Sequence, residues 1–294
     1  MIIMYILLII LISFIQNIIS ITEETFEGIT LKNNSASSNE NFNRRFLKSD
    51  ESNTKKRLIY IIGDSLVQVP NAMFKMTNLL KNQLIEGLSA NNKDEEFEID
   101  IQLIGGASNT IATLLKVMEE KISIMKKDDD VMPDVVIIYS DTDMSDLGYS
   151  GVPKNYKGDL VDLITLLKYH INHVALVGPT FRTKAGETPE HWKTDTTIVE
   201  FIEVNKAVCD KLGVHYINTR KAFQRVIRSE MKRGVTPKEI LTFSWAKLKS
   251  KGIESTKKDQ GILTFDGVHT NEKGTKVLVG LLAKEVLSWK DVWN

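Results

Sequence analysis

The segment Leu58–Gly63 (LIYIIG) decides the fold class, because it is a short, continuous apolar run that ends at a glycine. Four similar segments follow it, at residues 99–104, 135–139, 174–177 and 214–217. Longer stretches of helical periodicity separate them, such as Met73 to Leu88 and Thr110 to Met125. Strands buried on both faces are continuously apolar, and strands that alternate with helices form parallel sheets. The sequence therefore predicts a three-layer α/β domain with about five parallel strands.

The composition is that of a folded chain without a charge bias. Of the 294 residues, 42% are apolar and 26% are charged, which is too apolar for a disordered chain. The 38 basic residues are balanced by 38 acidic ones, so the broad basic surface of a nucleic-acid-binding protein is not expected. The single cysteine, Cys209, excludes an internal disulfide and a multi-cysteine metal site. We expect neither a nucleic-acid partner nor a bound metal.

Residues 1–20 carry no charged side chain and are apolar almost throughout. This run is about as long as the apolar region of a secretory signal peptide, although no Lys or Arg precedes it. It also approaches the roughly 20 residues that a membrane-spanning helix needs. We expect a signal peptide, with an uncleaved N-terminal anchor as the alternative. In both cases the chain enters the secretory pathway, to be secreted or luminal, and membrane contact is expected only through residues 1–20 if they are retained.

Residues 21–56 predict a disordered polar linker. Asn, Ser, Glu and Lys dominate the segment, which cannot bury enough apolar surface to offset its ordering entropy. The sequence Asn33-Asn34-Ser35 is a glycosylation sequon, in agreement with a secretory route. The remaining residues, 57–294, have the length of one domain.

Residues with chemically useful groups follow the predicted strands. Residues 63–66 (GDSL) follow the first strand, residues 105–106 (GG) the second and residues 140–143 (SDTD) the third. Residues 264–271 (TFDGVHTN) lead into the last helix. Because an open parallel sheet binds ligands outside the carboxyl ends of its strands, we expect these segments to share one edge.

These segments contain the groups needed for nucleophilic catalysis. A serine hydroxyl becomes a nucleophile when a base takes its proton, and histidine does so near neutral pH when a carboxylate fixes its tautomer. Ser65, His269 and Asp266 supply these groups, and Gly267 lets the backbone turn so that Asp266 and His269 can face one point. The backbone N–H groups of Ser65 and Gly106 can bind a developing oxygen anion.

The blocks Gly63-Asp64-Ser65-Leu66 and Asp266-Gly267-Val268-His269 resemble those of the SGNH, or GDSL, hydrolase superfamily. The resemblance extends over residues 57–290 in the family's order and spacing. It implies a flavodoxin-like α/β/α sandwich that hydrolyses a small-molecule ester, of a lipid or a sugar, without a cofactor. It further implies Ser65 as nucleophile, His269 as base, Asp266 as its orienting partner, and Gly106 with Ser65 as oxyanion donors.

One block departs from the family pattern. The family usually has Gly-x-Asn-Asp after the third strand, with the Asn as third oxyanion donor, whereas Thr142 stands at that position here. A threonine hydroxyl can donate but is shorter. Losing one oxyanion donor costs roughly 10²–10³ in rate, so this substitution predicts a slower enzyme rather than an inactive one. Weaker candidates for substrate contact are Asp64, Asp143, His191 and Trp192.

Each assignment has a structural alternative. Ser65 could cap the following helix, and the pair of Gly105 and Gly106 could serve only close packing at a turn. The segment around Asp266 and His269 could be a turn capped by Thr270 or Asn271. Three functions therefore stay open: a serine esterase, an O-acyltransferase with the same serine chemistry, and a non-catalytic binding module. The complete set of serine, histidine and aspartate favours the esterase.

Overall fold

The computed structural model describes residues 54–91, 96–106, 109–128, 130–139, 152–180, 196–233, 262–264 and 269–293. They belong to one compact unit, Asn53–Asn294. The predicted signal segment, residues 1–20, and residues 21–53 of the predicted linker lie outside the described residues. The first strand begins at Lys55, so the end of the predicted linker belongs to the folded unit.

Strands and helices alternate along the chain, as the apolar pattern predicts. The strands are β1 (Lys55–Gly63), β2 (Phe97–Ile104), β3 (Val135–Tyr139), β4 (His173–Val177) and β5 (His215–Ile217). The helices are α1 (Ser65–Phe74), α2 (Met76–Asn91), α3 (Ile111–Lys127), α4 (Tyr156–His170), α5 (Thr196–Leu212), α6 (Thr219–Lys232), α7 (Glu272–Ser288) and α8 (Lys290–Trp293). Each of the five apolar segments overlaps one of these strands.

The five strands form one sheet in the order β2-β1-β3-β4-β5, and all neighbouring pairs are parallel. This is the doubly wound order of flavodoxin-like folds. The direction of winding reverses at β1, which lies between β2 and β3. Such a switch point opens a crevice beyond the carboxyl ends of its strands. The predicted three-layer α/β fold is confirmed.

Helices cover both faces of the sheet. On one face, α3, α4 and α5 pack against Tyr60, Ile62 and neighbouring strand residues. On the other face, α1, α2, α7 and α8 pack against Ile59 and Ile61. This alternation follows the two-residue period of a strand. Burial on both faces explains why residues 58–62 of the first strand are apolar without interruption.

Helix α6 contributes a smaller core beside these two layers. Its Phe223 and Ile227 are fully buried and pack with Leu263, and Val277 of α7 packs against this cluster. Leu263 precedes the segment that contains His269. The small core therefore anchors the chain just before that segment.

The predicted helix from Met73 to Leu88 is interrupted at its start. Lys75 has a left-handed backbone conformation with φ of 53°, and it ends α1 before α2 begins at Met76. The Asn71 side chain accepts hydrogen bonds from the backbone N–H and the hydroxyl of Thr77, at 3.0 and 2.8 Å. These bonds hold the two helices at the break.

Within the described residues, no helix combines the length and the apolar character needed to cross a bilayer.

Candidate active site

The candidate site lies at the switch point, because Ser65 directly follows β1. Gly63 ends that strand beside Tyr139 of β3, and a Cβ on Gly63 would lie 2.1 Å from the Tyr139 carbonyl oxygen. Only glycine permits this close approach. The chain then turns into α1, whose first residue is Ser65. The hydroxyl of Ser65 thus lies at the N-terminus of a helix, where backbone N–H groups and the helix dipole favour negative charge.

Asp64 caps α1. Its side-chain carboxylate is fully buried and accepts a hydrogen bond from Leu66 N at 2.8 Å. The alternative that Ser65 is the helix cap is therefore wrong, and the Ser65 side chain is left for another partner. The Asp64 carboxylate has no solvent exposure and fixes the start of α1, and its contact with substrate stays a prediction.

The side-chain partner of Ser65 is His269. Its Nε2 lies 2.9 Å from Ser65 Oγ, although the two residues are 204 positions apart in sequence. Both side chains are only partly buried, so the pair is accessible from the crevice. A hydroxyl within hydrogen-bond distance of an imidazole nitrogen is the arrangement in which histidine can take the serine proton.

The chain on the two sides of the segment that carries His269 is joined by hydrogen bonds between residues 263–264 and residues 270–271, which we call the neck. Thr264 and Thr270 form an isolated antiparallel bridge, and Asn271 N donates a hydrogen bond to the Leu263 carbonyl at 3.0 Å. His269 is the residue before Thr270, so its backbone is fixed by local hydrogen bonds. The neck therefore fixes the backbone directly beside His269.

The neck is in turn attached to α7. Asn271 Oδ1 accepts a hydrogen bond from Gly274 N at 2.9 Å and caps the helix, as the sequence analysis considered. The hydroxyls of Thr270 and Thr275 are 2.8 Å apart. A Cβ on Gly274 would lie 2.0 Å from the Leu263 carbonyl oxygen, so a glycine is required for the helix to approach the neck. The turn-and-cap interpretation of this segment therefore holds together with the contact between His269 and Ser65.

The two glycines after β2 have different surroundings. Gly105 has a φ of +113°, and a Cβ there would lie 2.1 Å from the Gly63 carbonyl oxygen. Close packing therefore explains Gly105. A Cβ on Gly106 would have only ordinary contacts, 3.8 Å from Asn109 Nδ2 and 4.0 Å from Gln68 Nε2. Packing alone does not explain why residue 106 is a glycine.

Several predicted site residues lie outside the described residues. These are Asp266, Thr142, Asp143, His191 and Trp192. Their roles stay predictions. Of the predicted set, the structure brings Ser65 and His269 into contact and places Gly106 after the neighbouring strand β2.

The single cysteine, Cys209, does not belong to the site. It is fully buried in α5, and burial raises the pKa of its thiol to about 12. Across the described ranges, no group of three or more His, Cys, Asp or Glu side chains could hold a metal ion.

The sequence analysis missed two features of the site. One is Gln68, whose Nε2 donates a hydrogen bond to the Gly105 carbonyl oxygen at 2.8 Å. The other is the neck formed by Thr264 and Thr270. A position three residues after Ser65 on the same helix was a usable signal for Gln68, since residues i and i+3 share a helix face.

Comparison with known proteins supports the fold assignment. The chain matches no protein-family model and no curated protein. It is similar in structure to the acetyl xylan esterase AlAXEase, with 20% identity, a TM-score of 0.54, and 78% of this chain and 99% of that chain covered. It is also similar to a catalytic mutant of Axe2, an acetylxylan esterase from Geobacillus stearothermophilus, with 16% identity, a TM-score of 0.52, and 78% of this chain and 94% of that chain covered. At such identities the likeness shows a shared fold.

Proposed function

We propose that this protein is a serine ester hydrolase of the SGNH type, acting on a small acyl ester. The observation that carries the proposal is the 2.9 Å contact between Ser65 Oγ and His269 Nε2 at the switch point of the sheet. The two residues come from opposite ends of the domain. Packing alone does not require a hydroxyl to face an imidazole in an accessible crevice.

In the proposed reaction, Ser65 Oγ attacks the ester carbonyl carbon while His269 Nε2 accepts the hydroxyl proton. The tetrahedral intermediate collapses, the bond to the alcohol oxygen breaks, and His269 gives the proton to the leaving alcohol. Water then attacks the acyl group on Ser65, with His269 taking a proton from it. Release of the acid returns the proton to Ser65. Asp266 is proposed to accept a hydrogen bond from the other ring nitrogen of His269.

The backbone N–H groups of Ser65 and Gly106 are proposed to stabilise the oxyanion. Ser65 is the first residue of α1, where N–H groups have no acceptor within the helix. Space beside Gly106 allows a substrate to approach its backbone closely. We propose Thr142 as a third donor, weaker than the usual asparagine.

For the substrate, we propose an O-acetylated carbohydrate. Support comes from structural neighbours that are acetyl xylan esterases. Catalytic mutants of one of them replace a serine, an aspartate and a histidine, which are the residue types of Ser65, Asp266 and His269. A lipid ester is the alternative within the same chemistry.

The test is intact-mass analysis of the full chain after exposure to a fluorophosphonate. We expect one adduct on the parent and none on Ser65→Ala. Ser288→Ala is the matched control, because Ser288 Oγ donates to the Glu285 carbonyl at the exposed end of α7 and should leave the adduct unchanged. No adduct on a folded parent would reject the proposal and favour a non-catalytic binding module.

A second measurement separates the substrates. We expect acetate release from acetylated xylo-oligosaccharides and from a short-chain nitrophenyl ester, and little hydrolysis of a long-chain ester. Preferential hydrolysis of the long-chain ester would favour a lipid substrate. Transfer of the acyl group to an added sugar in preference to water would identify an O-acyltransferase.

A further inference from the structure

Gln68 connects the helix of Ser65 to the glycine pair after β2. It lies three residues after Ser65 on α1, so the two side chains share a helix face. Gln68 Nε2 donates a hydrogen bond to the Gly105 carbonyl oxygen at 2.8 Å. One rigid helix therefore holds both the candidate nucleophile and a donor to the glycine segment.

The bonded carbonyl belongs to the same peptide group as the Gly106 N–H. The described chain contains no cis peptide bond, and in a trans peptide the C=O and N–H point in opposite directions. A hydrogen bond that fixes the direction of the Gly105 carbonyl therefore also fixes the direction of the Gly106 N–H.

This peptide needs an external anchor. It is flanked by two glycines, which have the widest range of backbone conformations. Gly105 is confined by its close approach to Gly63, whereas a Cβ on Gly106 would make only ordinary contacts, so packing does not confine Gly106 in the same way. Without a partner for the Gly105 carbonyl, the peptide can rotate and change the direction of the Gly106 N–H.

We propose that Gln68 is a positioning residue that aims the Gly106 N–H at the oxyanion; this inference rests on the proposed function. The bond to the Gly105 carbonyl also polarises the peptide, which strengthens the N–H as a donor. Gln68 acts through Gly106 and need not touch the substrate. Gln68 thereby lowers the free energy of the transition state, in which negative charge develops on the carbonyl oxygen.

The first variant is Gln68→Met, which keeps the length and helix propensity of the side chain but removes its donor. We expect kcat to fall between roughly 10-fold and 100-fold with KM within about threefold, since outright loss of an oxyanion donor costs 10²–10³. Gln68→Glu keeps the shape but places a second acceptor against the Gly105 carbonyl, and should lower kcat at least as much. Gln83→Met on α2 is the matched control and should leave kcat unchanged, because Gln83 Oε1 lies beside Gly280 in the middle of α7, 3.9 Å from where a Cβ on that glycine would be.

A spectroscopic readout tests the peptide itself. Gly105-Gly106 is the only Gly-Gly pair in the sequence, so labelling glycine with carbonyl ¹³C and amide ¹⁵N gives one correlated signal, that of the Gly106 amide. Loss of the hydrogen bond to the Gly105 carbonyl should move the Gly106 ¹⁵N resonance upfield in Gln68→Met. The same signal should not move in Gln83→Met.

Reduced kcat together with a shifted Gly106 signal would support the proposal. A kcat within twofold of the parent, or a reduced kcat with an unmoved Gly106 signal, would overturn it while leaving the esterase intact. A parent that neither binds fluorophosphonate nor hydrolyses esters would reject the proposed function instead, and the Gly106 signal would still decide whether Gln68 orients the peptide.

Discussion

The two edges of the sheet use histidine in opposite ways. At the carboxyl edge, His269 faces the hydroxyl of Ser65. At the amino edge, His173 and His215 are the first residues of β4 and β5, and their rings lie 5.2 and 5.4 Å from that of Trp289. All three histidines are partly exposed or exposed, so exposure does not separate them.

The partners of the ring nitrogens separate them. His173 Nε2 lies 3.0 Å from Asp291 Oδ2, and His215 Nδ1 lies 2.5 Å from Glu285 Oε1. His215 Nε2 also accepts a hydrogen bond from Trp289 Nε1 at 3.4 Å, so both of its nitrogens are occupied. An imidazole held by carboxylates and an indole fastens the C-terminal helices to the sheet. An imidazole that faces a serine hydroxyl can perform chemistry.

The largest expected effect tests this difference directly. His269→Gln should lower kcat on the order of 10⁴–10⁶-fold, because the proposed base for Ser65 is lost. His215→Gln makes the same change at the other edge and should leave kcat within twofold. Steady-state kinetics on both purified variants measures the two values of kcat. Equal losses of kcat in the two variants would show that the histidines at the two edges do not differ in function.

The next effect concerns stability at the amino edge. Trp289 is 7% exposed and packs between His173 and His215. Trp289→Ala should lower the free energy of unfolding by about 3–5 kcal/mol, as expected for loss of a buried aromatic side chain. Urea denaturation measures this loss. Fluorophosphonate labelling of the fraction that remains folded should be unchanged. A loss of labelling in that fraction would show that the amino edge also affects the proposed site.

The glycine pair sharpens the comparison within the carboxyl edge. Gly105→Ala should destabilise the fold by more than about 2 kcal/mol, since the residue has a positive φ and its Cβ would meet the Gly63 carbonyl. Gly106→Ala should change stability by less than about 0.5 kcal/mol but reduce kcat, because the methyl group enters the space beside the proposed oxyanion donor. Thermal denaturation and kinetics on the two variants separate packing from function, and a stable Gly105→Ala would refute the steric argument.

The smallest effect comes from an ion pair near the carboxyl edge. Lys273 in the first turn of α7 donates a hydrogen bond to Glu230 of α6 at 2.9 Å, which lowers the pKa of Glu230 below its ordinary value of 4.5. A lowered pKa in the folded state stabilises the fold above that ordinary value, and the stabilisation is lost as pH falls through the lowered one. Glu230→Gln should therefore cost less than about 1 kcal/mol at pH 7. In denaturation at a series of pH values, the difference from the parent should begin to shrink below pH 4.5 and vanish once the pH is below the lowered pKa; a difference that does not shrink with falling pH would exclude the ion pair as its cause.

The strands could be predicted from the sequence because burial on both faces leaves an unmistakable apolar run, as at Ile59 to Ile62. The break at Lys75 could not. A left-handed lysine has no sequence signature, and the bonds from the Asn71 side chain that hold the break depend on how α2 packs.

The residue types of the candidate site could be predicted from the sequence, but the hydrogen bonds that hold those residues in place could not. Ser65 and His269 were found because each lies beside a strand end or a helix start. Asp64 and Ser65 are both good helix caps, so sequence alone could not tell which one caps α1. The bond from Gln68 to Gly105 depends on the distance between α1 and the end of β2, which only the folded sheet defines.

The position of His269 in the chain has a consequence for biosynthesis. It immediately precedes α7, whose Leu278, Leu282 and Val286 are fully buried in the core that covers one face of the sheet. A nascent chain still lacking its last helices contains Ser65 but has no histidine in place beside it. Packing of α7 against the sheet completes the core and, in the same step, brings the imidazole of His269 next to Ser65. A ribosome-stalled or C-terminally clipped chain would therefore leave that face of the sheet uncovered and would have no imidazole beside Ser65, so the fold and the proposed site are completed in the same step.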